Sequence, residues 1–186
     1  MLSTLPRTLK VLSIPLISLA LTACGSGGGG GYHYHDRISE YNGNWQSACI
    51  YNRSTDSSSI ETLYITDTDY TIYLDEFDNS NCFGSSDFTT EVEGYLYFGD
   101  YKPFASTYCD NTIEVDFVPE AVYEDDFKIP SADISAYLNL PEDATYNIMC
   151  RRNNQLFTGD LRIDDGKTEF TRPLSLNYDN RLYAFD

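Results

Sequence analysis

An all-β fold is predicted for this chain: a single antiparallel barrel of about eight strands, with a β-sandwich as the alternative. Three observations predict it. From Gly43 onward apolar and polar residues alternate with period two and are punctuated by turn residues at short intervals, the pattern of antiparallel sheet. Helical periodicity is nearly absent. Aromatic residues that suit a pleated surface are in excess, with 16 Tyr, 10 Phe and 1 Trp. A closed barrel is preferred over a sandwich because closure removes the exposed edges that short strands joined by short connections would otherwise present.

The predicted strands run near Trp45 to Tyr51, Ser59 to Thr66, Tyr70 to Phe77, Glu91 to Phe98, Thr112 to Val118, Thr145 to Arg151, Gln155 to Leu161 and Arg181 to Phe185. The clearest alternation sets Ile113, Val115 and Phe117 against Glu114 and Asp116, a half-buried strand with one wet face. Asn153-Asn154 reads as a two-residue hairpin turn, because Asn tolerates positive φ, and Asp164-Asp165-Gly166 as another turn. Residues 119–141 interrupt the rhythm with acids and three prolines, and Ser131 is placed to cap a short helical turn through Leu138. This segment is expected to be an insertion, a lid-like loop.

The N-terminus reads as an address. Met1 to Lys10 carry Arg7 and Lys10 and no acid, and Val11 to Leu21 are almost wholly apolar, the order of a secretory signal. The apolar run is too short to span a bilayer, which needs about 20 residues. It ends at Leu21-Thr22-Ala23-Cys24, which resembles the bacterial lipobox, where a diacylglyceryl thioether forms on the Cys. Residues 1–23 are then a signal peptide and Cys24 the lipidated residue. In such lipoproteins a Gly after the Cys, as at Gly25, resembles the outer-membrane-directed class, and several acyl chains together give stable attachment. Residues 24–37, rich in Gly, behave as a flexible tether. The 14 residues from Cys24 to Ile38 reach at most ~50 Å. The domain, residues 38–186, is therefore expected to work close to the membrane.

Removing residues 1–23 takes away two cations, so Lys+Arg falls from 12 to 10, Asp+Glu stays at 29, and the formal charge moves from −17 to about −19. Nucleic acid is excluded as a partner, since phosphate binding needs clustered Lys and Arg and only Arg151-Arg152 are adjacent. With Cys24 taken by lipid, Cys49, Cys82, Cys109 and Cys150 remain, an even number in an oxidising compartment. Of the three pairings that four cysteines allow, Cys49 with Cys82 and Cys109 with Cys150 is preferred, because sequence-local loops close most readily.

A more specific resemblance comes from Gly43-Asn44-Trp45, which is similar to the G-x-W that opens lipocalin-type barrels. Together with Cys49, the run Asn79-Ser80-Asn81-Cys82, the run Leu156-Phe157-x-Gly159-Asp160 and Thr171-Arg172-Pro173, the chain resembles a group of lipocalin-like lipoproteins of Gram-negative bacteria. The resemblance implies that Trp45 plugs one end of the barrel with a basic residue, Arg172 or Arg181, over its ring. It also implies a non-enzymatic module that holds a small apolar or amphipathic ligand. The alternative is a structural or interaction lipoprotein with a filled barrel, contacting another envelope protein.

Both histidines, His33 and His35, precede the domain, so no His base lies in the barrel. With the cysteines paired, Ser/His/Asp and Cys/His schemes are excluded within the fold, and no catalytic residue is assigned. Among 29 acids some carboxylates must lie close together, so any chosen pair is uninformative. His33, His35 and Asp36 form the sole cluster with metal-ligand character, read here as solvated linker. The acidic runs Asp75 to Asn81 and Asp164-Asp165-Gly166 do not fit a calcium loop and are read as turns. No cofactor is expected.

Overall fold

The computed structural model describes residues 38–102, 109, 111–139 and 143–186. The predicted signal and tether, with Cys24, His33 and His35, lie outside the described residues. The strands are β1 (Gly43–Ser47), β2 (Ile50–Asn52), β3 (Ser57–Thr66), β4 (Asp69–Phe77), β5 (Phe88–Tyr101), β6 (Ile113–Glu124), β7 (Phe127–Lys128), β8 (Thr145–Arg152), β9 (Gln155–Thr158) and β10 (Leu182–Ala184). Each of the eight predicted strands is present. Eight close into an antiparallel barrel in the order β1-β3-β4-β5-β6-β8-β9-β10, with β10 pairing back onto β1. Chain neighbours are sheet neighbours, so the topology is up-and-down, while β2 and β7 add short ribbons to β3 and β6.

Turn chemistry obeys the predicted logic, with several corrections. Asn153 takes φ 55° in the β8–β9 hairpin, and Asp125 and Asp126 both take positive φ between β6 and β7, where Asp is better tolerated than most residues. The first predicted strand is two, β1 and β2, broken at Ala48-Cys49 where the Cys49–Cys82 bridge ties it to the end of the β4–β5 hairpin. The second bridge is Cys109–Cys150, so both preferred pairings form.

The insertion begins later than residue 119. Strand β6 continues through Pro119 to Glu124, and Pro119 is accommodated where the register with β5 shifts at Glu93/Gly94. After β7 come a 3₁₀ turn, Ser131–Asp133, and one helical turn, α1 (Ile134–Tyr137). Ser131 is not the cap. It is the first helical residue, Pro130 holds the capping position, and no side chain caps it.

One core fills the lower barrel. It comprises Trp45, Leu63, Ile65, Tyr70, Ile72, Val92, Leu96, Phe98, Val115, Phe117, Met149, Leu156 and Leu182 among others. Val115, Met149 and Leu156 have no exposed surface and Trp45 has 1 %, so no water-sized void borders them. Both ends are covered. At one end the turn Ile38–Tyr41 crosses beneath Trp45: the indole N–H donates to the Tyr41 carbonyl at 3.0 Å, and the Tyr41 ring meets Phe98 at 5.8 Å. At the other, Ile129, Ile134 and Leu138 of the 119–141 segment turn inward and join the same core.

The basic residue over Trp45 is Arg151, 5.2 Å from the ring centroid, not Arg172 or Arg181. Arg151 is one position from the end of β8, in register with the inward Leu156, which brings it to the Trp45 end; it also donates to the Glu40 carbonyl. Arg172 lies on the outer wall over the Tyr146 ring, and the exposed Arg181 lies over Tyr183.

A second small core, Cys109, Ile148, Cys150, Phe157 and Leu176, lies outside the wall. It is covered by the segment that returns from β9 to β10. Gly159 permits that approach, because a Cβ there would lie 2.5 Å from the Pro173 side chain and 2.6 Å from Asn147 Oδ1. The motifs around Gly159 and Arg172 are thus the two halves of one structural contact.

Candidate functional site

Register divides the inward residues of β3 to β6 into an apolar row and, next to it, a polar row, the candidate recess. Leu63, Ile72, Val92 and Val122 pair side by side across β3, β4, β5 and β6, all inward and all buried. Two residues along each strand, the next inward row is Glu61, Leu74, Thr90 and Glu124. Of this row Glu61, Leu74 and Glu124 are half-buried and Thr90 is buried. Glu76, inward by the same period, is also half-buried. Glu61 lies on the inward face of β3 and keeps part of its surface accessible.

The cap completes the recess. The Tyr137 hydroxyl of α1 donates to Glu124 Oε1 at 2.9 Å. Burial first, and then this bond to a carboxylate, push the Tyr137 pKa up to about 12, with a hydrogen bond to Thr90 acting in the opposite sense. The phenol stays neutral and serves as a donor.

Three interior polar groups lack partners. The Tyr70 hydroxyl, stacked edge-on to Phe117 at 5.2 Å, and the Thr145 hydroxyl, on the residue in register with Phe117, are buried without a hydrogen bond. The Glu61 backbone N–H donates to Ser47 Oγ at 2.9 Å, but its carboxyl has no partner among the described residues. Burial raises the Glu61 pKa, because the charged form loses its hydration within the wall. Burial likewise holds the Tyr70 phenol far above its ordinary value. Buried polar groups are ordinarily satisfied, and exceptions cluster at functional sites.

A second feature lies on the outer wall. The Arg172 guanidinium is buried and donates to the Asn147 carbonyl at 2.8 Å and the Val115 carbonyl at 3.3 Å. It pairs with Asp116 at 2.8 Å and Glu114 at 3.4 Å, and Glu114 also takes Lys102 at 2.8 Å. Asp116 is nonetheless raised, because its burial outweighs the nearby Arg172. This network clamps the returning segment to β6 and β8. Beside it a groove of about 310 Å³ is lined in part by Ile148, Phe170 and Leu174.

Of the residues singled out in sequence, Trp45 forms part of the floor and the four domain cysteines form the two bridges. Arg172 and Arg181 do not meet the interior. Among the described residues no three metal-ligating side chains come together. Sequence reasoning missed Glu61, Leu74, Thr90, Glu124 and Tyr137. A signal existed for Glu61, a lone charge in phase with Leu63 and Ile65. Glu124 was hidden by the register shift at Gly94, which changes the inward phase midway along β6.

In comparisons with known proteins, no family model, curated protein or solved structure matches this chain.

Proposed function

We propose that this chain is a lipoprotein of the Gram-negative envelope, anchored at the outer membrane through Cys24, whose barrel holds one small amphipathic molecule in the recess above the floor. The observation that carries the reading is the inward row Glu61, Leu74, Thr90 and Glu124, with accessible surface left on three of its four members, next to an apolar row in a closed barrel. An eight-stranded barrel is wide enough to be filled by side chains or to hold one small ligand. Here the floor takes the first option and the recess is suited to the second. A closed up-and-down barrel with a buried Trp45 supports the lipocalin-like reading of the motifs, and the lipobox with its Gly-rich tether supports the anchor.

The test is native mass spectrometry of the lipoprotein extracted from its own envelope. The expected spectrum contains a noncovalent adduct of one small molecule that is lost on denaturation. A bare lipidated polypeptide at every charge state would count against the reading.

A second reading, an interaction lipoprotein that contacts another envelope protein, is favoured by the outer groove, whose rim carries the exposed Phe170 (98 %) and Leu174 (68 %). In that case the same spectrum would contain a second polypeptide.

A further inference from the structure

We propose that the outward face of β4, β5 and β6 is a docking surface for an extended, arginine-bearing segment of another protein, with Tyr95 and Tyr97 as the rings on which its guanidinium groups stack. This surface is separate from the recess and from the outer groove, and the proposal depends on neither.

Tyr95 and Tyr97 stand outward on β5, 40 % and 61 % exposed, while Leu96 and Phe98 beside them turn inward and are buried. Side chains two apart on a strand share a face at roughly 7 Å, the spacing that an extended peptide gives to its own alternate residues. Acids stand beside the rings: register puts Asp69 of β4 opposite Tyr95 and Asp116 of β6 opposite Tyr97. A hydrogen bond from the Tyr95 hydroxyl to Glu120, and then the charges of Glu120 and Asp69, raise the pKa of that phenol. Further along the same face the Tyr73 hydroxyl donates to Glu91 at 2.8 Å and the Tyr123 hydroxyl to Glu93 at 3.5 Å. A rigid wall with phenols tied to carboxylates is ordered before any partner arrives, which lowers the entropic cost of binding.

The outer wall already holds basic side chains in this way. The Arg172 guanidinium lies 4.9 Å from the Tyr146 centroid and pairs with Asp116 at 2.8 Å, in the cross-strand row that continues to Tyr97. Lys128 lies 5.3 Å from the Tyr123 centroid, and Arg181 5.9 Å from that of Tyr183. Among the described residues no cation stands over Tyr95 or Tyr97, although the same ring-and-carboxylate arrangement is present there.

Charge selects the occupant. Asp69, Glu93 and Glu120 repel anionic surfaces, and a second copy of the chain brings an excess of acids, 29 Asp and Glu against 12 Lys and Arg. A basic segment is attracted by both the face and the whole molecule. Arginine suits it better than lysine, because a planar guanidinium stacks on a ring and bonds a carboxylate with two N–H groups at once.

The test titrates peptides of alternating Arg and Ser, Lys and Ser, or Glu and Ser into the purified full-length protein, read by calorimetry at about 0.15 M salt. The arginine peptide is expected to bind at least about threefold more tightly than the lysine peptide, and the glutamate peptide not at all. Tyr95→Thr with Tyr97→Thr leaves the charge unchanged and keeps good strand formers, and should weaken the arginine peptide about tenfold. Asp69→Asn with Glu120→Gln should weaken it more than Asp56→Asn with Asp78→Asn, which removes the same charge at the other end of the β3–β4 hairpin. Unchanged Trp45 emission shows that each variant is folded. Absence of binding by the arginine peptide, parental affinity in the double tyrosine variant, or equal losses from the two acid pairs would overturn the proposal. Self-association of the parent protein that the tyrosine substitutions abolish would also overturn it, in favour of a second copy on this face.

Discussion

Replacing Trp45 by Ala tests the floor of the barrel. The indole is 1 % exposed, it pairs in register with Leu63 and Ala184, its N–H donates to the Tyr41 carbonyl, and Arg151 covers its face. Truncating a buried aromatic to Ala costs about 3–5 kcal/mol through lost transfer free energy and the residual cavity. Leaving the Tyr41 carbonyl without its donor places the cost toward the upper part of that range. Against a domain stability of about 5–15 kcal/mol, this is a large fraction. Trp45→Phe, which keeps a ring but not the donor, should cost about 1–2 kcal/mol. Arg151→Met, which keeps much of the stem and removes the cation, should cost about 1 kcal/mol. Urea unfolding followed by far-ultraviolet circular dichroism reads all three. Because Trp45 is the sole tryptophan, emission reports on it alone and should be blue-shifted and resistant to iodide. A red-shifted, freely quenched emission with an Ala penalty below about 1 kcal/mol would refute the packing described here.

Three further outcomes are expected. The loops closed by Cys49–Cys82 and Cys109–Cys150 span 33 and 41 residues, so each bridge contributes about 4 kcal/mol in the chain-entropy model; reduction should lower the melting temperature steeply, and an unchanged melt would contradict that contribution. For Glu61 the folded pKa lies above the ordinary 4.5, so the folded state retains a proton that the unfolded chain has released. Stability therefore declines as pH rises through that window and stays down above it. Glu61→Gln should match the parent protein below pH ~4 and exceed it near neutrality, by about 1.4 kcal/mol for every tenfold by which burial weakens the acid. A difference independent of pH would contradict the placement of Glu61 in the wall. Finally, Cys24→Ser should abolish fatty-acid labelling and membrane partitioning; labelling that persists would move the anchor elsewhere.

Strand positions were legible because a two-residue period needs no tertiary information, as the Val115 and Phe117 alternation illustrates. The bridges were legible because loop length alone favoured one pairing of three. Trp45 was identifiable as a buried residue from its motif, but the cation above it was not. Arg151 reaches Trp45 only because the stagger of a closed barrel carries the end of β8 to the start of β1, and stagger is a property of the whole sheet. The recess was hidden for a similar reason. The inward phase of β6 changes at the Gly94 register shift, so Glu124 reads as solvent-facing until the pairing is known. The sequence of the 119–141 segment reads only as a lid-like insertion because its apolar residues, Ile129, Ile134 and Leu138, obey neither period. They are spaced to cover a barrel end instead.

The central proposal, that the recess is the binding site, is tested most directly by methyl NMR of the purified full-length protein titrated with hexanol, an uncharged probe. Resonances of Leu74, Ile134 and Leu138 should shift in a saturable manner while those of Ile163 and Leu174, exposed on the outer wall, stay fixed. Shifts confined to Ile163 and Leu174, with Leu74 and the cap unmoved, would contradict it.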